Sequence, residues 1–116
     1  MSKQTIDTMV GWIEDNITEE PTLENMSNYV GYSPYYCSTK FHERIGISFK
    51  TYLNKRRLNH AALDLLQSSD RIIDIAFKYG FSSHEAFTRS FSREYNLSPS
   101  RFRREVSDLK SVSRKF

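Results

Sequence analysis

"VGYSPYYCSTKF" at Val30–Phe41 and "YGFSSHEAFTRSF" at Tyr79–Phe91 share one skeleton. Each sets a glycine, an aromatic and a serine ahead of a short polar run closed by phenylalanine. The flanks repeat as well. Leu23, Met26, Ser27, Val30 and Gly31 match Ile72, Ile75, Ala76, Tyr79 and Gly80 at an offset of 49. Past the turn, Cys37, Phe41, Gly46, Ser48 and Tyr52 match Phe87, Phe91, Asn96, Ser98 and Phe102 at an offset of 50, so the second copy holds one extra residue in its turn. Two copies make a duplicated supersecondary unit and are too few for a solenoid.

Each unit reads helix, Gly-aromatic-Ser turn, helix. The glycines supply the positive φ that ends the first helix in a tight turn. Ser27 and Ala76 are small enough to let the second helix approach closely, and Tyr32 and Phe81 are expected to plug the corners. That is the helix-turn-helix layout, whose second helix can enter a DNA major groove.

The apolar spacing is helical along the whole chain. Ile6, Met9, Val10, Ile13 and Ile17 recur at steps of three and four and mark an amphipathic helix ending before "TEEP". Thr22 caps a second helix, and Ser33-Pro34 starts a third with serine at the cap and proline at the first helical position. Ser48 caps a longer helix with Phe49, Leu53, Leu58, Ala61, Ala62 and Leu65 on its apolar side, broken by "QSSD". Ile72, Ile75, Ala76 and Tyr79 form the next. Ser82 then starts a helix, with Glu85 placed to complete a capping box, and Phe87, Phe91 and Tyr95 face inward. Ser98-Pro99 opens the last helix, which carries Phe102. No stretch alternates with the period of a strand. The expectation is an all-α fold of about seven helices. It divides into a first helix-turn-helix unit over 5–47, a linker helix over 48–67 and a second unit over 69–105, together one domain over 1–106. A polar tail over 107–116 follows.

A chain of 116 residues is about one domain. It holds no apolar run long enough to span a bilayer and no signal-peptide core at "MSKQTIDTMV". A lone cysteine, Cys37, excludes an internal disulfide and fits a reducing, cytoplasmic setting. The net charge of +3 conceals an asymmetry: residues 1–30 hold one lysine against six acids, about −5, and residues 31–116 hold sixteen basic residues against eight acids, about +8. The basic part suits a polyanion such as nucleic acid.

"WIEDNI" at Trp12–Ile17, the "GYS" turn with Phe41 and Gly46 behind it, and "IIDIAFKYGFSSHEAFTRSFSREYNLSPSRFRR" resemble the AraC/XylS transcription regulators, among them the short MarA/SoxS/Rob-type activators. The resemblance implies a sequence-specific DNA-binding regulator, read as an activator. Its two recognition helices would enter successive major grooves on one face of the duplex, with the chain bound as a monomer in the bacterial nucleoid and RNA polymerase as a partner. A linker helix of about 18 residues, roughly 27 Å long, suits one duplex turn of about 34 Å.

In the first recognition helix Tyr35, Tyr36, Ser38 and Thr39 face away from Cys37 and Phe41. The resemblance places base contacts at Tyr35, Ser38 and Thr39, where the short relatives carry tryptophan, glutamine and arginine. Tyr36 is expected at a phosphate or packed on the turn. In the second recognition helix His84, Glu85, Thr88 and Arg89 are the expected base contacts. Arg89 can read guanine bidentately or hold a phosphate, and Glu85 can instead serve only the cap. Phosphate contacts are expected from the helix starts at Thr22 and Ser98 and from Lys40, Lys55, Arg56, Arg101, Arg103 and Arg104. Arg57 is expected to snorkel beside the core or pair with an acid.

Catalysis is not expected. His42, His60 and His84 lie on three different helices, Cys37 with His42 is short of a zinc pattern, and no phosphate loop or nucleophile elbow occurs. Cys37 reads as a small core residue, and neither cofactor nor metal is implied. Two further readings stay open: the DNA-binding part of a longer regulator with a ligand-sensing domain, and a helical protein-interaction module.

Overall fold

The computed structural model describes the backbone of residues 3–114 and the side chains of residues 3–107. Among them are seven α-helices and no strand: α1 Lys3–Asp15, α2 Leu23–Val30, α3 Pro34–Ile45, α4 Phe49–Gln67, α5 Ile72–Lys78, α6 His84–Tyr95 and α7 Pro99–Arg114. The chain divides into two compact units at Arg56/Arg57. The boundary falls inside α4. Its first two turns belong to one core and the remainder to the other.

In the first unit Ile6, Met9 and Ile13 line the inner side of α1, Met26 and Ser27 that of α2, and Cys37 and Phe41 that of α3; all six apolar residues and Ser27 are buried. Ser27 fits there because its hydroxyl donates back to the Glu24 carbonyl at 2.8 Å. Phe49 and Tyr52 of α4 close the core edge-on against Phe41, with ring centroids 5.9 and 5.4 Å away. Edge-to-face packing suits the quadrupoles of aromatic rings.

The second unit is built the same way with a larger aromatic core. Leu58, Ala61 and Leu65 of α4, Ile75 and Ala76 of α5 and Phe87 and Phe91 of α6 are buried. Phe91 meets Phe87, Tyr95 and Phe102 at centroid distances of 5.6, 4.7 and 5.2 Å. The Tyr95 hydroxyl donates to Asn59 Oδ1 at 2.6 Å, which gives the half-buried phenol a partner.

The turns follow local chemistry. Gly31, Gly46 and Gly80 have φ of 85°, 92° and 84°, and Asn96, which matches Gly46 in the repeat, has φ of 61°. Asparagine tolerates this left-handed conformation better than most side chains. Thr22, Ser33, Ser48 and Ser98 each accept a hydrogen bond from the amide three residues on.

Three expectations change. The cap of α6 is Ser83, whose Oγ accepts from the Ala86 N–H at 3.0 Å, and not Ser82. Ala86 therefore holds the position a capping box assigns to Glu85. Tyr32 does not plug its corner; it is 44% exposed and stacks on Tyr36 at 5.2 Å, whereas Phe81 packs against the core ring of Phe87 at 5.1 Å. The turn after α5 is closed by the Phe81 N–H donating to the Ala76 carbonyl at 3.0 Å. Lastly, α7 stays helical to Arg114 and runs into the expected tail, where the side chains from 108 onward lie outside the described residues.

Candidate nucleic-acid interface

The two second helices, α3 and α6, share one division of faces. Cys37 and Phe41 on α3 and Phe87 and Phe91 on α6 are fully buried. Their first turns carry polar or aromatic side chains outward. Proline at the start of α3 presets φ, and the caps Ser33 and Ser83 each satisfy one first-turn amide. The other first-turn amides and the positive end of the helix dipole favour an anion there.

On α3, Tyr35 is 81% exposed. Ser38 and Thr39 are half-buried and line a shallow surface depression with His42 and Glu43. Tyr36 is half-buried between Tyr32 and Lys40, whose Nζ lies 5.7 Å from its ring centre and 3.3 Å from Glu43 Oε2. Tyr36 thus packs on Tyr32, and Lys40 has an exposed acidic partner, a kind of pair worth little in water.

On α6, His84, Glu85 and Arg89 are exposed, while Thr88 is half-buried. At the second helical position Glu85 cannot close a reciprocal cap. Its charge still suits the helix start, where Asp and Glu are favoured.

The basic residues separate into two groups. Lys55 and Arg104 are exposed, and Arg101 makes an exposed pair with Glu105 at 3.1 Å, of the kind worth little in water. Arg56 and Arg103, both expected at phosphates, have partners within the chain. The Arg56 Nε donates to Glu14 of α1. Arg103 donates from Nε to the Leu65 carbonyl at 2.9 Å and from Nη2 to the Ser68 carbonyl at 3.3 Å, capping the C-terminus of α4. Arg57 is half-buried, and its guanidinium lies against the turn at Gly80.

Burial alone raises the Cys37 thiol above its ordinary range, as fits a core residue rather than a reactive one. Among the described residues no group of three or more His, Cys, Asp or Glu side chains is placed to hold a metal ion. No described helix is long and apolar enough to cross a membrane.

A model of the helix-turn-helix domain family matches residues 26–105, from within α2 to within α7. A solved transcriptional regulator of Chromobacterium violaceum, with an AraC-type DNA-binding domain, is 28% identical and superposes with a TM-score of 0.84 over 89% of this chain and 92% of its own. The chain belongs to the AraC-type helix-turn-helix family. The HTH-type transcriptional regulator YbfP of Bacillus subtilis is 36% identical over 101 residues, which is 87% of this chain and 34% of YbfP. The chain thus spans about a third of that relative's length. The DNA-binding domain of AdpA, solved with a target DNA, has the same fold, with a TM-score of 0.84 at 20% identity over 92% of this chain and 96% of its own.

Proposed function

We propose that this AraC-type chain binds specific sequences in double-stranded DNA and regulates transcription, each unit laying its second helix in a major groove. The observation that carries this reading is the repeated division of faces on α3 and α6. Their inner sides are sealed by Cys37, Phe41, Phe87 and Phe91, while Tyr35, His84 and Glu85 stand in solvent on the first turns and Arg89 on the second turn of α6. A helix that only completed a core would not need exposed aromatic and charged groups at the same end in both copies.

Base edges are read by Tyr35, Ser38 and Thr39 in the first unit and by His84, Glu85, Thr88 and Arg89 in the second. Phosphates are held by the amides behind Thr22 and Ser98 and by Lys40, Lys55, Arg101 and Arg104. The chain acts as a monomer, because its two readers are already joined covalently. It works in the cytoplasm at the nucleoid, carries out no catalytic step, and activates by bringing RNA polymerase to the promoter.

Selection of duplexes from a random pool by the purified chain tests this. An asymmetric site of about two major-groove turns is expected, with affinity falling steeply between about 50 and 200 mM salt through counterion release. A flat salt response, or no sequence enriched in the retained pool, would refute DNA reading.

A further inference from the structure

Among the described residues, one buried side-chain oxygen lacks a hydrogen-bond partner, Thr88 Oγ1. Thr88 sits in the second turn of α6, next to Arg89 and one turn beyond His84. A helical threonine ordinarily returns its hydroxyl to the carbonyl three or four residues back. Here the oxygen is buried and makes no such bond. Thr88 as a whole is nevertheless half-exposed. The oxygen contributes none of that exposure, which leaves carbon atoms, the γ-methyl among them, as the part of the side chain that solvent can reach.

This orientation is the reverse of what solvation favours. A hydroxyl gains water by facing out and loses it by facing in, and burying one without a partner costs stability. Valine would fill the same shape without that loss. On the outward side, a methyl group between His84 and Arg89 offers an apolar spot within a polar surface. In a major groove, the apolar feature that separates one base pair from the others is the C5-methyl of thymine.

We propose that Thr88 reads DNA through its methyl group, packing on the C5-methyl of one thymine and selecting thymine over cytosine there without a hydrogen bond. The proposal rests on α6 being a recognition helix. Arg89, the adjacent exposed residue, supplies the charged contact that holds the helix in the groove while Thr88 tests for the methyl. Hydroxyl reading would demand a χ1 rotation that brings Oγ1 out and puts the methyl into its place. The two modes therefore answer oppositely to valine and serine.

The experiment uses the best duplex from the selection above, with each thymine replaced in turn by deoxyuridine, which removes only the C5-methyl. With the unaltered protein, one position should lose about three- to fourfold in affinity, the value of one buried methyl group. Thr88→Val should keep both the affinity and that deoxyuridine sensitivity. Thr88→Ser should bind the thymine duplex as weakly as the deoxyuridine duplex. The proposal is overturned if no single thymine methyl matters to the unaltered protein, or if Thr88→Ser keeps the sensitivity. It is also overturned if serine binds as tightly as threonine while valine loses affinity, since the hydroxyl would then be the reader. A chain that retains no duplex at all fails at the earlier step, as a DNA-binding protein. The deoxyuridine arm needs no variant, so it stands whatever the substitutions do to folding.

Discussion

The guanidinium of Arg57 lies against the turn at Gly80, where an added Cβ would come within 2.5 Å of Nη1 and 2.8 Å of Cζ. The equivalent Gly31 has nothing within 4 Å, although the two glycines have nearly the same φ, 84° and 85°. Alanine at either position meets the left-handed strain of about 1 kcal/mol. At Gly80 it must also displace Arg57, a further ~0.5–1 kcal/mol on the scale of one lost hydrogen bond. Gly80→Ala is thus expected to be the more destabilising in urea melts. Adding Arg57→Ala to it should cost less than Arg57→Ala costs alone. Equal losses for the two glycine variants would show that the arginine moves aside freely.

Arg103 and Arg104 are neighbours with opposite expected phenotypes. Arg103 bridges two carbonyls at the end of α4, so Arg103→Ala should cost about 1–2 kcal/mol of stability. Lysine should not restore it, since a single ammonium lacks the guanidinium fork. Arg104→Ala should melt within about 0.5 kcal/mol of the parent yet lower the salt slope of DNA binding by about one. A stability loss at Arg104 with none at Arg103 would reverse the assignment.

Arg89 is exposed beside Thr88 on α6. If it reads guanine, Arg89→Ala costs about 1–3 kcal/mol on the best duplex and relaxes the preference for one base pair. A panel of single-base variants checks this. A uniform loss across the panel would mark Arg89 as a phosphate contact, and unchanged affinity would remove it from the interface.

Alkaline pH should unfold the protein progressively. The Tyr79 hydroxyl and Lys78 Nζ both donate to Asp64 Oδ2 at 2.8 Å. Burial, then the hydrogen bond to Asp64, raises Tyr79 above its ordinary value of 10.0; burial raises Cys37 above 9.0. The folded state holds these protons more tightly than the unfolded one. Their contribution is therefore complete below the unfolded values and is lost as pH rises through the folded ones. Urea melts should weaken from about pH 9 upward. Tyr79→Phe should cost ~1 kcal/mol at neutral pH and show a smaller alkaline decline. A parent decline no steeper than that of Tyr79→Phe would exclude the tyrosine as a cause.

Local rules carried the reading of the turns and caps. Glycine before an aromatic and serine, serine before proline, and Asn96 in place of Gly46 are short-range signals, and each is realised in the backbone. The duplicated pattern of Phe and Leu likewise placed both cores, because burial follows helical period. One signal misled: Ser82 with Glu85 spells a capping box, yet Ser83 is the cap. The offset of 50 from Ser33 already pointed to Ser83. Anchoring Phe87 and Phe91 in the core sets the phase of α6, and the cap follows from it.

The sequence by itself determined the helix-turn-helix duplication and which faces are apolar, since both depend on residues within a few positions of one another. Tertiary structure alone decided the roles of the arginines and of Thr88. Arg56 and Arg57, like Arg103 and Arg104, are adjacent and chemically identical, but successive helical positions point about 100° apart. Neighbours therefore meet different surroundings: Arg56 turns toward Glu14 and Arg103 toward the Leu65 carbonyl, 42 and 38 residues away in the chain. Arg57 meets Gly80 in the same way. The Thr88 hydroxyl oxygen is buried without a partner, an environment that no spacing of residues records.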